Sequence, residues 1–212
     1  MTMEQKRPLL EMIALILLMI GGMLLAPQLK TLFSLLPIVY FLVERRVRKR
    51  EREEIGFKFK SISRDFKEVW YFVFIVGFVL QLFYLYVFKN YFPEVMIHVQ
   101  ERASFIQSFD GKLLISLLVL ALGEEIVFRG LIQGRLQWIV KPLPAILISS
   151  FIFALMHITS GNLLVTSLDL TTVFIDSVFF GIIFYKTKNI YVSWLAHAIA
   201  NIVAAYSLLH FI

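Results

Sequence analysis

The chain reads as all-α, a polytopic membrane helix bundle of about seven transmembrane helices with the N-terminus inside. Three observations lead there. Of its 212 residues, 59% are hydrophobic, against roughly 45–50% in soluble domains, and the mean hydropathy is +0.79. The apolar residues fall into separate runs along the whole chain, and no polar stretch between them is long enough to bury a core of its own. The basic residues are sorted between alternate connections, as the positive-inside rule requires.

A spanning helix needs about 20 mostly apolar residues. The first run is Leu9 to Ala26, closed by Pro27. Lys6 and Arg7 precede it as they would in a signal peptide, but no small-x-small cleavage site ends it and further spans follow, so it is read as a helix. The second, Leu29 to Val43, is short and interrupted by Pro37. The third, Val69 to Phe88, is rich in Phe, Tyr and Val. The fourth runs from Lys112 to Leu131 and carries charge inside an apolar stretch. The fifth, Leu143 to Thr159, follows the breaker Pro142-Leu143-Pro144; the sixth is Thr171 to Tyr185; the seventh is Ile190 to His210. The segment Lys89–Gly111 is amphipathic and reads as lying on the outer surface.

With the N-terminus inside, the inner segments are the N-terminus, Glu44–Glu68, the turn after Arg129, and Lys186–Asn189. They hold every Lys and Arg of the 21 except Lys30, Lys89, Arg102 and Lys112. Residues 1–111 are then N-terminal transmembrane helices with a basic cytoplasmic loop at 44–68. Residues 112–212 are a helical core that carries the chemistry, and the two together make one compact membrane domain. A Phe- and Lys-rich, cysteine-free chain of this size fits a multi-pass protein of the cell membrane, best a bacterial inner membrane.

The absence of cysteine excludes disulfides, cysteine catalysis and thiolate metal sites. The net charge is +6, but acidic residues are interleaved with the basic cluster from Glu44 to Glu54, which argues against a polyanion groove. The partners expected are membrane lipids, whose anionic headgroups attract juxtamembrane Lys and Arg, and not nucleic acid.

Charged groups at mid-bilayer cost about 2.5 to 3.5 kcal/mol each on insertion scales, so an intramembrane Glu-Glu and Arg read as a functional site. Glu124 and Glu125 are adjacent and point about 100° apart on a helix, whereas Glu125 and Arg129 share a face and can pair. Glu124 is left without that partner. A carboxylate in an apolar pocket holds its proton more tightly, the tuning a general base requires. Phe153-x-x-x-His157 lies on the fifth run and His197-x-x-x-Asn201 on the seventh. The last spacing puts His197 and Asn201 on one face, where two hydrogen-bond donors can converge on a carbonyl oxygen. A base, a water-positioning His and a donor pair make a set for water attack on an amide.

Glu-Glu-x-x-x-Arg, Phe-x-x-x-His and His-x-x-x-Asn, in this order on three helices, resemble the motifs of the CPBP family of intramembrane proteases, also called the CAAX-protease and bacteriocin-processing or Abi family. The resemblance covers about Lys112 to Ser207, including Phe180-Gly181-Ile182-Ile183; residues before it carry no recognisable feature of the family. It implies that Glu124 activates water with His157 beside it, that His197 and Asn201 hold the oxyanion, and that Glu125 and Arg129 orient the motif helix. It also implies an endopeptidase acting on a peptide or protein substrate in or at the membrane, with bacteriocin processing or self-immunity among the roles of bacterial relatives.

No cofactor is favoured. The alternative is zinc held by Glu124, His157 and His197, a three-ligand set with an open position, although the His-Glu-x-x-His helix is absent. Non-catalytic immunity and a proton-coupled carrier are the competing functions. The carrier would show two related halves, and none is visible. An aspartyl dyad of Asp169 and Asp176 is disfavoured: Asp176 reads as bonding to a neighbouring helix and Asp169 as sitting at the outer interface. His98 and His210 read as bystanders, and Trp138, Trp194, Tyr185 and Tyr191 as an inner aromatic belt. The site is expected to open toward the inner face. At 1.5 Å per residue, His197 lies about 10 Å from the inner end of its helix and His157 about 20 Å from Leu143, so the catalytic reading requires these depths to converge.

Overall fold

The computed structural model describes residues 3–211, apart from the side chains of residues 3, 4, 23, 24, 27, 30 and 31. Lys30, one of the four basic residues assigned outside, has its side chain beyond the described part. The described residues fold into α1 (Met3–Leu25), α2 (Lys30–Val47), α3 (Ile62–Phe74), α4 (Leu80–Tyr91), α5 (Pro93–Arg102), α6 (Gly111–Glu125), α7 (Gly134–Leu136), α8 (Pro142–Leu155), α9 (Leu163–Thr187) and α10 (Ile190–His210). No strand occurs among them. A π-helical stretch, Ile75–Val79, joins α3 to α4, and a second, Ile126–Gln133, joins α6 to α7.

Each of the seven apolar runs is found as helix. Among the described residues three helices are long and apolar enough to cross a membrane: Phe59–Tyr91, Leu163–Thr187 and Ile190–His210; Pro142–Leu155 is apolar but shorter. The boundaries shift for local reasons. Pro37 does not interrupt α2, which runs through it. The sixth run starts eight residues before Thr171, at Leu163, because Asn162 caps it by accepting from the N–H groups of Leu164 and Val165. The basic loop expected at 44–68 is narrower: α2 reaches Val47 and α3 begins at Ile62, so both of its ends are helical. The amphipathic outer segment contains a helix of its own, α5.

The connections sort to two ends of the bundle, as the charge pattern requires. At one end the Ile190 N–H donates to Gly56 O at 2.8 Å, Asn189 Nδ2 donates to Lys58 O and Asp65 Oδ2, both at 2.9 Å, and Lys188 Nζ donates to Gln137 Oε1 at 2.5 Å. Gly56 has φ of +97°, and a Cβ there would stand 3.0 Å from Ile190 Cγ1, so only glycine suits the position. At the same end, Glu44 pairs with Arg48 at 2.8 Å and with the buried Arg135 at 3.1 Å. Arg48 also reaches Glu11 at 2.7 Å. This network fastens α1 and α2 to α7. At the opposite end, Arg102 pairs with Asp169 at 2.8 Å, His98 meets Thr159 at 3.0 Å, and Lys89 Nζ donates to Phe211 O at 2.5 Å.

Two apolar clusters hold the interior. In one, Leu9 and Met12 of α1 and Phe41 of α2 pack on Ile126, Leu131 and Phe153. In the other, Val69, Val73 and Val76 meet Phe180 of α9 and the small residues Ala196 and Ala200 of α10. Small residues four apart let helices approach closely, which is how packing is gained where lipid supplies no hydrophobic drive.

Candidate active site

Glu125 is fully buried, and every interaction it makes is a fixing one. Its Oε2 lies 3.3 Å from Arg129 Nε and also accepts from Ser193 Oγ, while its Oε1 is 3.0 Å from His197 Nδ1. Arg129 is buried as well. Its Nη2 donates to Ser177 Oγ at 2.6 Å and its Nη1 to Gln133 Oε1 at 3.3 Å, and the guanidinium lies over the Phe153 ring at 5.9 Å. A buried charge pair persists when its remaining donors and acceptors are satisfied, and here α9 and α10 supply the partners. Gly181 lets this happen: a Cβ there would stand 2.9 Å from Ile146 Cγ2, 3.0 Å from Gln133 Oε1 and 3.3 Å from Arg129 Nη1.

His197 is clamped. The Phe180 ring stacks on it at 4.5 Å and 16°, and Glu125 holds Nδ1. The other nitrogen, Nε2, faces Glu124 Oε2 at 3.4 Å. With Glu125 ionised, Nδ1 carries a hydrogen, and the ring donates from both nitrogens only as imidazolium. Among the described residues Glu124 has no other hydrogen-bond or ion-pair partner, and its side chain is 34% exposed. Two adjacent glutamates thus have opposite surroundings, as their angular separation on the helix predicts.

His157 lies in the turn just after α8. Its Nδ1 donates to Phe153 O at 2.9 Å, which leaves Nε2 as the acceptor in the neutral ring. Its ring packs on Phe153 at 4.6 Å, and Phe153 meets His197 edge-on at 5.8 Å. The two depths converge because α8 ends at Leu155 and His157 folds back one turn, with Phe153 between the two imidazoles.

His157, His197 and Asn201 line one cavity of about 160 Å³. Asn201 makes no hydrogen bond to the described protein, so its amide is free to bind there. Glu124 is not part of that wall; it stands beside it, against His197 Nε2. The remaining wall was not visible in the motifs. Gln81 and Tyr84 come from α4, Met96, Val99 and Arg102 from α5, and Asp169 and Asp176 from α9. Asp176 bonds to the neighbouring helix as expected, accepting from Gln81 Nε2 at 2.9 Å and from Tyr84 OH at 3.3 Å.

Several expectations change. The cavity lies toward the end that bears α5 and the last turns of α10, not toward the basic end: Met96, Val99 and Arg102 of α5 and Ser207 and Leu208 of α10 line it. Asp169 lies at the outer end of the bundle but is enclosed there, 1% exposed and held by Arg102. His98 is no loop bystander: it is buried in α5 and braces that helix against Thr159. Trp194 Nε1 donates to Leu118 O of α6 at 2.8 Å. His210 is exposed and hydrogen-bonds only within its own helix, as a bystander would. Among the described residues no three His, Asp or Glu side chains are grouped to hold a metal ion, Glu124, His157 and His197 included, and the His157 ring packs on Phe153. Ser193 was findable from sequence, since Ser193, His197 and Asn201 lie four apart on one face. Gln81 and Asp176 were not, because their meeting is purely tertiary.

Residues 108–203 match the family model described as type II CAAX prenyl endopeptidase Rce1-like. The match spans all three motifs and is consistent with the CAAX-protease family that they resemble. No curated protein and no solved structure matches the chain.

Proposed function

We propose that this membrane protein, with its CAAX-protease family match over residues 108–203, is an intramembrane endopeptidase that hydrolyses a peptide bond with water activated by Glu124. The observation that carries the reading is the arrangement around His197: Nδ1 fixed by Glu125 at 3.0 Å, Nε2 facing Glu124 at 3.4 Å, and the free Asn201 amide one turn away in the same cavity.

In this reading Glu124 takes a proton from water, which His157 Nε2 orients by accepting its other hydrogen. The oxygen attacks the scissile carbonyl carbon. The resulting oxyanion accepts hydrogen bonds from His197 Nε2–H and the Asn201 amide. Glu124 then returns the proton to the leaving nitrogen, the C–N bond breaks, and a carboxylic acid and an amine depart. Positioned proton transfer supplies about 10²- to 10⁴-fold, and one oxyanion donor about 10²- to 10³-fold. Glu125 and Arg129 position His197 without touching substrate.

The test is peptidomics of membranes from cells expressing the wild-type chain or Glu124→Gln. New membrane-derived termini that vanish in the variant support the proposal; identical peptide sets contradict it. Cleavage unaffected by a zinc chelator distinguishes the glutamate mechanism from a metal-dependent one. A bacteriocin or signalling peptide as substrate is a further proposal, read directly from the termini recovered.

A further inference from the structure

Asp176 sits near the middle of α9, a helix of 25 residues that is long and apolar enough to span a membrane. An ionisable residue at that depth is expensive to keep. The cleavage mechanism does not use it. It nevertheless shares a cavity wall with His157, His197 and Asn201.

The cavity's other charges are already matched. Arg102 Nε lies 2.8 Å from Asp169 Oδ2 and its Nη2 donates to Asp169 Oδ1 at 2.9 Å, so this pair cancels. His197 is flanked by Glu125 and Glu124. Asp176 has only neutral donors, Gln81 Nε2 and Tyr84 OH, and among the described residues no Lys or Arg nitrogen comes within ion-pairing distance of it. Gln81 Nε2 is itself shared with Val76 O at 3.0 Å. The carboxyl group is held in place without an ion-pair partner.

The space beside it suits one side chain. At roughly 30 Å³ per water, a cavity of about 160 Å³ holds about five waters. Its flanks are apolar, with Leu85, Phe88 and Val173 on the wall. An aliphatic stem packs on such walls while its charged tip seeks a polar partner.

We infer that Asp176 is a specificity-determining residue: with Gln81 and Tyr84 it forms a subsite that receives a cationic side chain, Lys or Arg, of the peptide substrate. The inference rests on the proposed peptidase reading only in taking this cavity as the place where the peptide lies. A neutral side chain of the same length fills the volume but leaves the carboxyl group unmatched, and loss of a polar partner in an enclosed site is the stronger discriminator.

The experiment uses the full chain in lipid nanodiscs. Fluorescent hexapeptides differing only by Lys or norleucine, scanned through every position, are bound to the Glu124→Gln variant, which holds them without turnover. The same peptides are offered to the wild-type chain for cleavage. At one position Lys is expected to bind at least about ten-fold tighter than norleucine. Adding Asp176→Asn should bring that ratio to about one, and adding Asp176→Glu should retain it, with thermal unfolding recorded for each variant. A Lys preference that survives Asp176→Asn, or no preference at any position, overturns the inference. Peptide cleavage by wild type but not by Glu124→Gln, together with no Lys preference, would sink this inference alone. Lys-selective binding without any cleavage would instead sink the peptidase reading.

Discussion

Glu124 and Glu125 are neighbours in sequence, yet they should fail in different ways. Glu125 is wholly enclosed with Arg129, Ser193 and His197. Removing its charge leaves Arg129 buried and uncompensated, which costs about 3–5 kcal/mol when a buried pair is broken. Glu125→Gln should therefore lower the unfolding temperature markedly and reduce the yield of folded protein. Glu124 is one-third exposed with a single close partner, so Glu124→Gln should change stability by less than about 1 kcal/mol while abolishing cleavage. Differential scanning fluorimetry beside a peptidase assay checks both; equal destabilisation by the two variants would contradict the assignment. Asn201→Ala should slow cleavage about 10²- to 10³-fold with little change in substrate binding, read as a fall in kcat at constant KM. Much of this scale was legible in the sequence, because helical periodicity alone decides which of two adjacent glutamates can meet Arg129. The bond from Glu125 to His197 was not legible, since it joins residues 72 apart through the docking of two helices.

α9 and α6 carry the next set of expectations. Gly181 faces Ile146, Gln133 and Arg129 so closely that a methyl group must displace them. Gly181→Ala should cost about 1–3 kcal/mol by overpacking and slow cleavage by moving the Arg129 support. Gly21 of α1 has nothing within 4 Å of an added Cβ, so Gly21→Ala should leave stability unchanged or raise it by up to about 1 kcal/mol through helix propensity. The same denaturation series measures both, and the two signs should be opposite. At the start of α6, Asp110 accepts from the Leu113 N–H at 2.8 Å, and that bond holds its carboxyl below the usual Asp range. A lowered folded value contributes stability above the unfolded value and loses it as pH falls through the folded one. Hydrogen exchange at Leu113 should therefore stay slow through neutral and mildly acidic pH and quicken only in stronger acid; protection unchanged by Asp110→Ala would contradict the cap. Element positions were readable from apolar runs, and α5 was visible as an amphipathic stretch. Its contribution to the cavity was hidden, because nothing in Pro93–Arg102 announces which helices it will cover.

For the whole molecule, the basic clusters lie together at one end of the bundle and the cavity lies toward the other. The charge bias therefore carries a consequence that the motifs do not: with the N-terminus inside, the cavity lies toward the outer end. The cysteine-free chain makes this directly measurable. Glu53→Cys should react with a membrane-impermeant maleimide only from the inner side, and Gln107→Cys only from the outer; reversed labelling would invert the orientation, and labelling of both from one side would contradict the two-ended arrangement. The grouping of ends was legible from Lys and Arg placement. The end toward which the cavity lies was not, because it depends on α4 and α5, outside the motif helices.

The most direct test of the central claim is the rate of peptide release by purified protein in nanodiscs, wild type against Glu124→Gln at matched unfolding temperature. The account predicts release by the wild-type chain and a fall of at least about 10²-fold in the variant; release at the wild-type rate from a folded Glu124→Gln protein would contradict it.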